Sequence, residues 1–210
     1  MPDTSQSIMK RLREETRELH SLAESRPLQQ QIARGEVDRE RFAAYLGQLY
    51  LIHRELESAL QSEANAHPAV ARLATGDRMR VPDLIKDLQS LQLDYRELAP
   101  GAATSRFVDD VEDLRDTHPV ALLGALYVVE GSTNGGKFLA KVLRRAWNTD
   151  GDGLSYLDPY GDQQPQKWAA FKSLMDDAAF DETQKDAIVQ AAHRTFRAIA
   201  EVSDEVARDV

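Results

Sequence analysis

The chain has 210 residues, of which 42% are hydrophobic and 29% charged, so it fits one domain with a substantial core and a water-facing surface. Its formal net charge of -9 leaves no basic excess to displace counterions from phosphates, which argues against a general nucleic-acid binder. The absence of cysteine excludes disulfides, thiolate metal sites, iron-sulfur clusters and cysteine nucleophiles together.

The N-terminus carries no basic region followed by an apolar run, and no stretch reaches the roughly 18 apolar residues of a membrane span. A cytoplasmic protein is expected, with residues 1–7 as a flexible tail. From Ile8 to about Glu24, Met9, Leu12, Thr16, Leu19, Leu22 and Ala23 recur at helical spacing, with Ser5 or Ser7 available as N-cap. A second stripe on this first helix is Arg13, Arg17, His20 and Glu24, at steps of four, three and four.

Pro27 ends that helix, and Gly35 closes a short piece from Leu28 to Arg34. Asp38 then caps a long helix whose Phe42, Tyr45, Leu46, Leu49, Ile52, Leu56 and Leu60 face a core. A short segment follows His67-Pro68, and another helix starts at Pro82 or Asp83 and is expected to continue to Pro100-Gly101. After a shorter helix from Thr104 to Arg115, His118-Pro119 leads into a helix reaching about Trp147.

The centre of that helix is unusual. Gly131, Gly135 and Gly136 stand with Ser132, Thr133 and Asn134 in six positions, between apolar residues that include Tyr127 and Val129 before them and Phe138 and Leu139 after. Each interior glycine costs about 1 kcal/mol relative to alanine. Gly124, Gly131 and Gly135 share nearly one face, which is bare backbone. Such a face admits either a closely packed neighbouring helix or a flat ligand, and spacing does not choose between them.

Asn148 to Gln166 is rich in glycine and proline and reads as a loop. Lys167 to Met175 is a short helix, and Asp181 to Gln184 forms a capping box for the last one, which buries Ile188, Ala192, Thr195, Phe196, Ile199 and Val202. No segment alternates as a strand does, so the fold class is all-α.

Five histidines are present. His67 and His118 precede prolines at helix starts, where a structural or exposed role is expected. His53 and His193 sit beside apolar stripes and read as satisfied core or boundary residues. His20 has two arginines before it and Glu24 one turn after it. A metal-ligating imidazole needs its second nitrogen held, and arginines suit an anionic ligand. The same stripe also reads as a solvated face with ordinary ion pairs. No Glu-x-x-His pair for a di-iron site, no G-x-S-x-G, phosphate loop or dinucleotide fingerprint occurs.

Two stretches together resemble the haem oxygenase family. Leu12-Arg-Glu-Glu-Thr-Arg17-Glu-Leu-His20-Ser-Leu-Ala-Glu24 is similar to its proximal helix, and Tyr127-Val-Val-Glu130-Gly131-Ser132-Thr-Asn134-Gly135-Gly136 to its glycine-rich distal helix, in the bacterial Glu-Gly-Ser form. The resemblance covers about Ile8 to Val206 and implies one haem oxygenase-like domain over 1–210. It implies haem b as substrate and cofactor, with His20 as iron ligand.

Arg13, Arg17, His20, Glu24, Tyr127, Gly131, Gly135, Gly136 and Lys172 are the implied haem contacts, and Gly131, Ser132, Asn134 and Gly135 the catalytic segment. Trp168 takes a position that is basic in some relatives, which removes a cation from that end. Ser132 stands where some members have an aspartate that organises a water for proton delivery, and a hydroxyl is a poor proton source.

The implied reaction opens haem to biliverdin, carbon monoxide and ferrous iron with dioxygen and electrons from an external donor, a ferredoxin or a flavin reductase. A bilin-binding photoreceptor is a possible acceptor of the biliverdin, and a monomer is expected. A haem carrier or sensor that does not turn over is the alternative.

Overall fold

The computed structural model describes residues 6–150 and 153–208, and among these it contains ten α-helices and no strand, the class expected. The helices are α1 (Ile8–Glu15), α2 (Arg17–Glu24), α3 (Pro27–Arg34), α4 (Arg39–Glu63) and α5 (Pro68–Leu73), followed by α6 (Val81–Ser90), α7 (Ala102–Thr117), α8 (Leu122–Trp147), α9 (Gln164–Asp176) and α10 (Glu182–Arg208).

The expected caps form. Asp38 Oδ1 accepts from Arg41 N at 2.8 Å, and the capping box closes reciprocally, with Gln184 N to Asp181 Oδ1 at 2.8 Å and Asp181 N to Gln184 Oε1 at 3.1 Å. Of the expected flexible tail, residues 1–5 lie outside the described residues. Ser7 departs from that expectation: it caps α1, and its hydroxyl donates to Asp176 Oδ1 at 2.6 Å.

The first predicted helix is two, bent at Thr16. Thr16 Oγ1 donates back to Leu12 O at 2.7 Å, and the Glu15 carbonyl lies 3.0 Å from His193 Nε2 on α10. Hydroxyl back-bonding of this kind bends helices. The ladder nevertheless resumes at once, with His20 N to Thr16 O at 2.9 Å, so α2 keeps the stripe of His20 and Glu24 in register.

The helix expected to reach Pro100 stops at Ser90. The chain turns through Gln92, held at φ 62, and Leu93 N closes on Leu88 O at 2.9 Å. Phe138, expected on the apolar stripe of α8, is instead 63% exposed.

At the centre, α8 lies against α10, which also packs on α1, α2, α3 and α7, while α4 packs on α6 and α7. One contact sets the closeness of α8 and α10. A Cβ added at Gly124 would lie 1.9 Å from the Ile188 carbonyl oxygen, so only glycine permits this crossing. Leu12, Leu46, Ile52, Leu56, Leu122, Ile188 and Val202 are fully enclosed in the core around it.

Candidate functional site

The side of α8 that includes Tyr127, Gly131, Ser132 and Asn134 lines a cavity of about 460 Å³, shared with His20 and Glu24 of α2, Tyr45 and Leu49 of α4, Trp168 of α9 and Phe196 of α10. His20 is positioned by two contacts. Its Nδ1 is 3.4 Å from Glu24 Oε2, and its ring meets the edge of Phe196 at 5.6 Å between centroids. Among the described residues Nε2 has no protein partner. The imidazole side chain is 55% exposed, so the ring is held at its root and open at its tip.

A second cavity of about 930 Å³ adjoins the first, and Tyr127 and Trp168 belong to the walls of both. Its cations are Lys10, Arg13 and Arg17 from the first bent helix and Lys172 from α9, with Glu14 and Asp176 as the acidic members. Trp168 stacks on Phe171 at 5.4 Å and packs against Tyr127 at 5.9 Å. Burial raises the Tyr127 phenol above its usual value, against the Thr16 hydroxyl and the Arg13 charge, which lower it.

Three small polar residues of the glycine segment have settled roles. Ser132 Oγ donates to Val129 O at 2.8 Å, Thr133 Oγ1 to Glu130 O at 2.6 Å, and Asn134 Nδ2 to Gly131 O at 2.8 Å. Each spends a donor on a carbonyl three residues earlier.

The glycines divide further. Gly131 lines the cavity, where an added Cβ would sit at ordinary contact, 3.6 Å from the Trp168 ring. Gly136 does not line it, contrary to expectation: it is buried, and a Cβ there would lie 1.9 Å from the Leu157 carbonyl oxygen, so it is a packing glycine. Gly135 is also outside the lining, exposed, with nothing within 4 Å of an added Cβ.

Two residues of consequence escaped the sequence reading. Tyr156, from the stretch read as a loop, lines the cavity, and its hydroxyl is 3.2 Å from His53 Nε2. Buried Asp87 of α6 holds the backbone there, accepting from Ser155 N at 2.8 Å and Tyr156 N at 2.7 Å. His53, 1% exposed, has its Nδ1 3.2 Å from Glu57 Oε1. That carboxylate in turn accepts from Arg80 N at 2.6 Å and Val81 N at 3.2 Å. The His53–Glu57 pair did carry a signal, because Tyr45, Leu49, His53 and Glu57 follow at steps of four on α4 and so form one stripe.

Nearby, Tyr160 donates to the buried Glu130 at 3.0 Å, and Arg78 Nε lies 3.9 Å from the same carboxylate. Burial nonetheless raises Glu130 above the ordinary carboxylate range, with Tyr160, Arg78 and Arg80 opposing it. The pair ties α8 to the loop.

Among the described residues no group of three or more metal-ligating side chains occurs. One oriented imidazole in an apolar cavity, with cations gathered in the adjoining cleft, fits a metal whose other ligands belong to a flat anionic macrocycle. Fold and site together give a helical protein with one oriented imidazole facing an apolar pocket beside a cationic cleft.

The heme oxygenase family model matches residues 6–205. Curated relatives include a heme oxygenase of Takifugu rubripes, 25% identical with 97% of this chain and 76% of that one covered, and heme oxygenase 1 of Synechocystis, 27% identical with 91% and 81% covered. The crystal structure of Synechocystis heme oxygenase-1 in complex with heme superposes with a TM-score of 0.87 at 24% identity, covering 95% of this chain and 92% of that one. This chain belongs to the haem oxygenase family, whose members are haem-degrading enzymes.

Among the described residues no helix is long and apolar enough to cross a membrane.

Proposed function

We propose that the chain binds haem b between α2 and α8 and cleaves it to biliverdin, carbon monoxide and ferrous iron, with dioxygen as co-substrate. When bound, haem supplies both the iron that activates dioxygen and the macrocycle that is opened. The observation that carries the reading is His20 in the wall of the apolar cavity beside the cationic cleft.

His20 is the protein's ligand to the iron. Glu24 fixes the ring's orientation through Nδ1, 3.4 Å away. Arg13, Arg17 and Lys172 neutralise the propionates, and the shared wall of Tyr127 and Trp168 separates that charge from the apolar interior. Gly131 keeps the α8 wall free of a side chain, while Leu49, Val129 and Phe196 exclude water from the reacting face. Ser132 and Asn134 complete the polar edge of the cavity.

The enzyme works as a single-domain monomer in the cytoplasm. It draws electrons from a ferredoxin or flavin reductase and releases biliverdin, with a bilin-binding photoreceptor as one acceptor.

The test is reconstitution. Haem added to the purified protein gives a Soret band that His20→Ala removes or alters; no band in the wild type refutes the site. Reductant and oxygen then convert the complex to biliverdin. A haem spectrum that persists under those conditions identifies a carrier or sensor instead.

A further inference from the structure

At the glycine segment Ser132 stands where some haem oxygenases have an aspartate, and its hydroxyl is already committed. Ser132 donates its one hydroxyl proton to Val129 O at 2.8 Å. Asn134 directs Nδ2 to Gly131 O, and its Oδ1 lies 3.3 Å from Gln164 Nε2. A different oxygen in the same cavity is built into a buried chain: Tyr156 Oη, then His53, then Glu57.

We propose that Tyr156 is the proton-delivering hydroxyl of the cavity and that His53 is the relay residue behind it, storing the proton it passes on. The inference rests on the haem reading of the site.

Three features of the geometry support it. First, the chain opens toward the cavity alone. His53 is 1% exposed and, among the described residues, its ring nitrogens meet only Glu57 and Tyr156. Glu57 Oε1 is already engaged by the Arg80 and Val81 backbone N–H groups, so it serves as acceptor for His53 Nδ1–H. This sets the tautomer and leaves Nε2 as the nitrogen that exchanges protons with Tyr156.

Second, the backbone that carries Tyr156 is anchored. Asp87, 0% exposed, holds the Ser155 and Tyr156 N–H groups at 2.8 and 2.7 Å from a neighbouring helix. A loop residue thus gains the fixed position that a helix would otherwise provide.

Third, the electrostatics disfavour accumulation of phenolate. Burial holds the Tyr156 phenol well above its usual value, and Tyr45 and Glu57 add to that, while the Ser132 hydroxyl and Arg80 oppose it. Phenolate is therefore disfavoured unless the imidazole resupplies a proton as Tyr156 gives one up.

The step balances without an oxidant. As the O–H bond of Tyr156 breaks toward an acceptor in the cavity, the Nε2–H bond of the His53 imidazolium breaks and a new O–H bond forms at Tyr156. The acceptor gains one proton, His53 becomes neutral imidazole with Nδ1–H still on Glu57, and no electrons move. The groups around the relay are Glu57 and Tyr45 of α4, Arg80 before α6 and Ser132 of α8. Between turnovers solvent at the cavity mouth restores the proton through Tyr156.

The test compares Tyr156→Phe and His53→Gln with the wild type, each loaded with haem. Both variants keep the Soret band, since neither residue binds the iron. The pH midpoint of the ferric complex's spectral change in water shifts by half a unit or more in each. The rate of haem loss with reductant and oxygen falls at least tenfold, with a changed pH profile and solvent isotope effect. The two losses are not additive, because the residues act as one unit.

Retained Soret bands with an unmoved midpoint and an unchanged pH profile in both variants overturn the relay and leave the haem reading intact. Absence of a Soret band in the wild type overturns the haem reading itself. Should Tyr156→Phe misfold, the shift in His53→Gln decides alone, since Gln keeps hydrogen-bonding capacity and removes only the imidazole.

Discussion

Gly124 and Gly135 stand on the same helix and should respond to alanine in opposite directions. In Gly124→Ala the new methyl lies 1.9 Å from the Ile188 carbonyl oxygen and 2.9 Å from Ala192 N, both backbone atoms of α10. To reach even 3.0 Å from that oxygen, α8 and α10 must separate by about 1 Å along their central contact. Overpacking of this kind costs about 1–3 kcal/mol and sometimes more, against a gain of about 1 kcal/mol in helix propensity. Because rigid backbone rather than a flexible side chain must yield, the upper end applies, and a net loss of about 2 kcal/mol is expected.

Gly135→Ala meets nothing within 4 Å, so only the propensity term remains, and it should gain about 0.5–1 kcal/mol. Urea unfolding of the haem-free proteins, followed by far-ultraviolet circular dichroism, measures both. Equal stability of the two variants, or a stabilised Gly124→Ala, refutes the assignment of Gly124 to the α8–α10 crossing.

Four further outcomes are expected. Glu24→Gln should leave stability within about 0.5 kcal/mol, because the His20 pair is exposed, yet alter the ferric haem spectrum by loosening the ring. Arg17→Met and Lys172→Met should each weaken haem binding about tenfold at low salt and less at high salt, read from spectral titrations. Gly136→Ala should push Leu157 outward, displacing the adjacent Tyr156 and slowing haem loss more than it lowers the unfolding midpoint.

The last of the four concerns Asp77. The Lys167 ammonium, 2.7 Å away, and then the Thr75 hydroxyl lower its carboxyl from 3.8 to about 2. A depressed carboxyl stabilises the fold above its unfolded value and loses that contribution as pH falls through the folded one. The advantage of wild type over Asp77→Asn, under about 1 kcal/mol for so exposed a pair, should therefore be full well above pH 3.8, decline below it and vanish as pH falls through about 2 in parallel unfolding curves.

Helices with sustained periodicity and a side-chain cap were readable from residues alone, as Asp38 before α4 and the Asp181–Gln184 box before α10 show. The end of α6 was not, because Leu91, Leu93 and Tyr95 continue an apolar pattern after the helix has stopped. Its left-handed stop is Gln92, a residue that advertises no turn. His20, Glu24 and the arginines were visible as a stripe because they share one local helix face. Tyr156 was invisible for the opposite reason: its placement depends on Asp87, 69 positions away in sequence, and loops carry no period from which such a contact can be inferred.

The glycine helix illustrates why composition alone left its purpose open. The packing explanation weighed for these glycines holds at two of them, Gly124 and Gly136. Gly124 admits the backbone of α10 and Gly136 the backbone at Leu157, and at each an added Cβ would lie only 1.9 Å from a carbonyl oxygen. Gly131 has room for a methyl and lines the cavity, so no packing demand explains it in the haem-free protein. The proposed haem site supplies a reason for its bareness, since that wall faces the cavity shared with His20. The packing glycines thereby serve the site indirectly: Gly124 sets α10, and with it Phe196, against His20, and Gly136 seats the loop from which Tyr156 reaches the cavity.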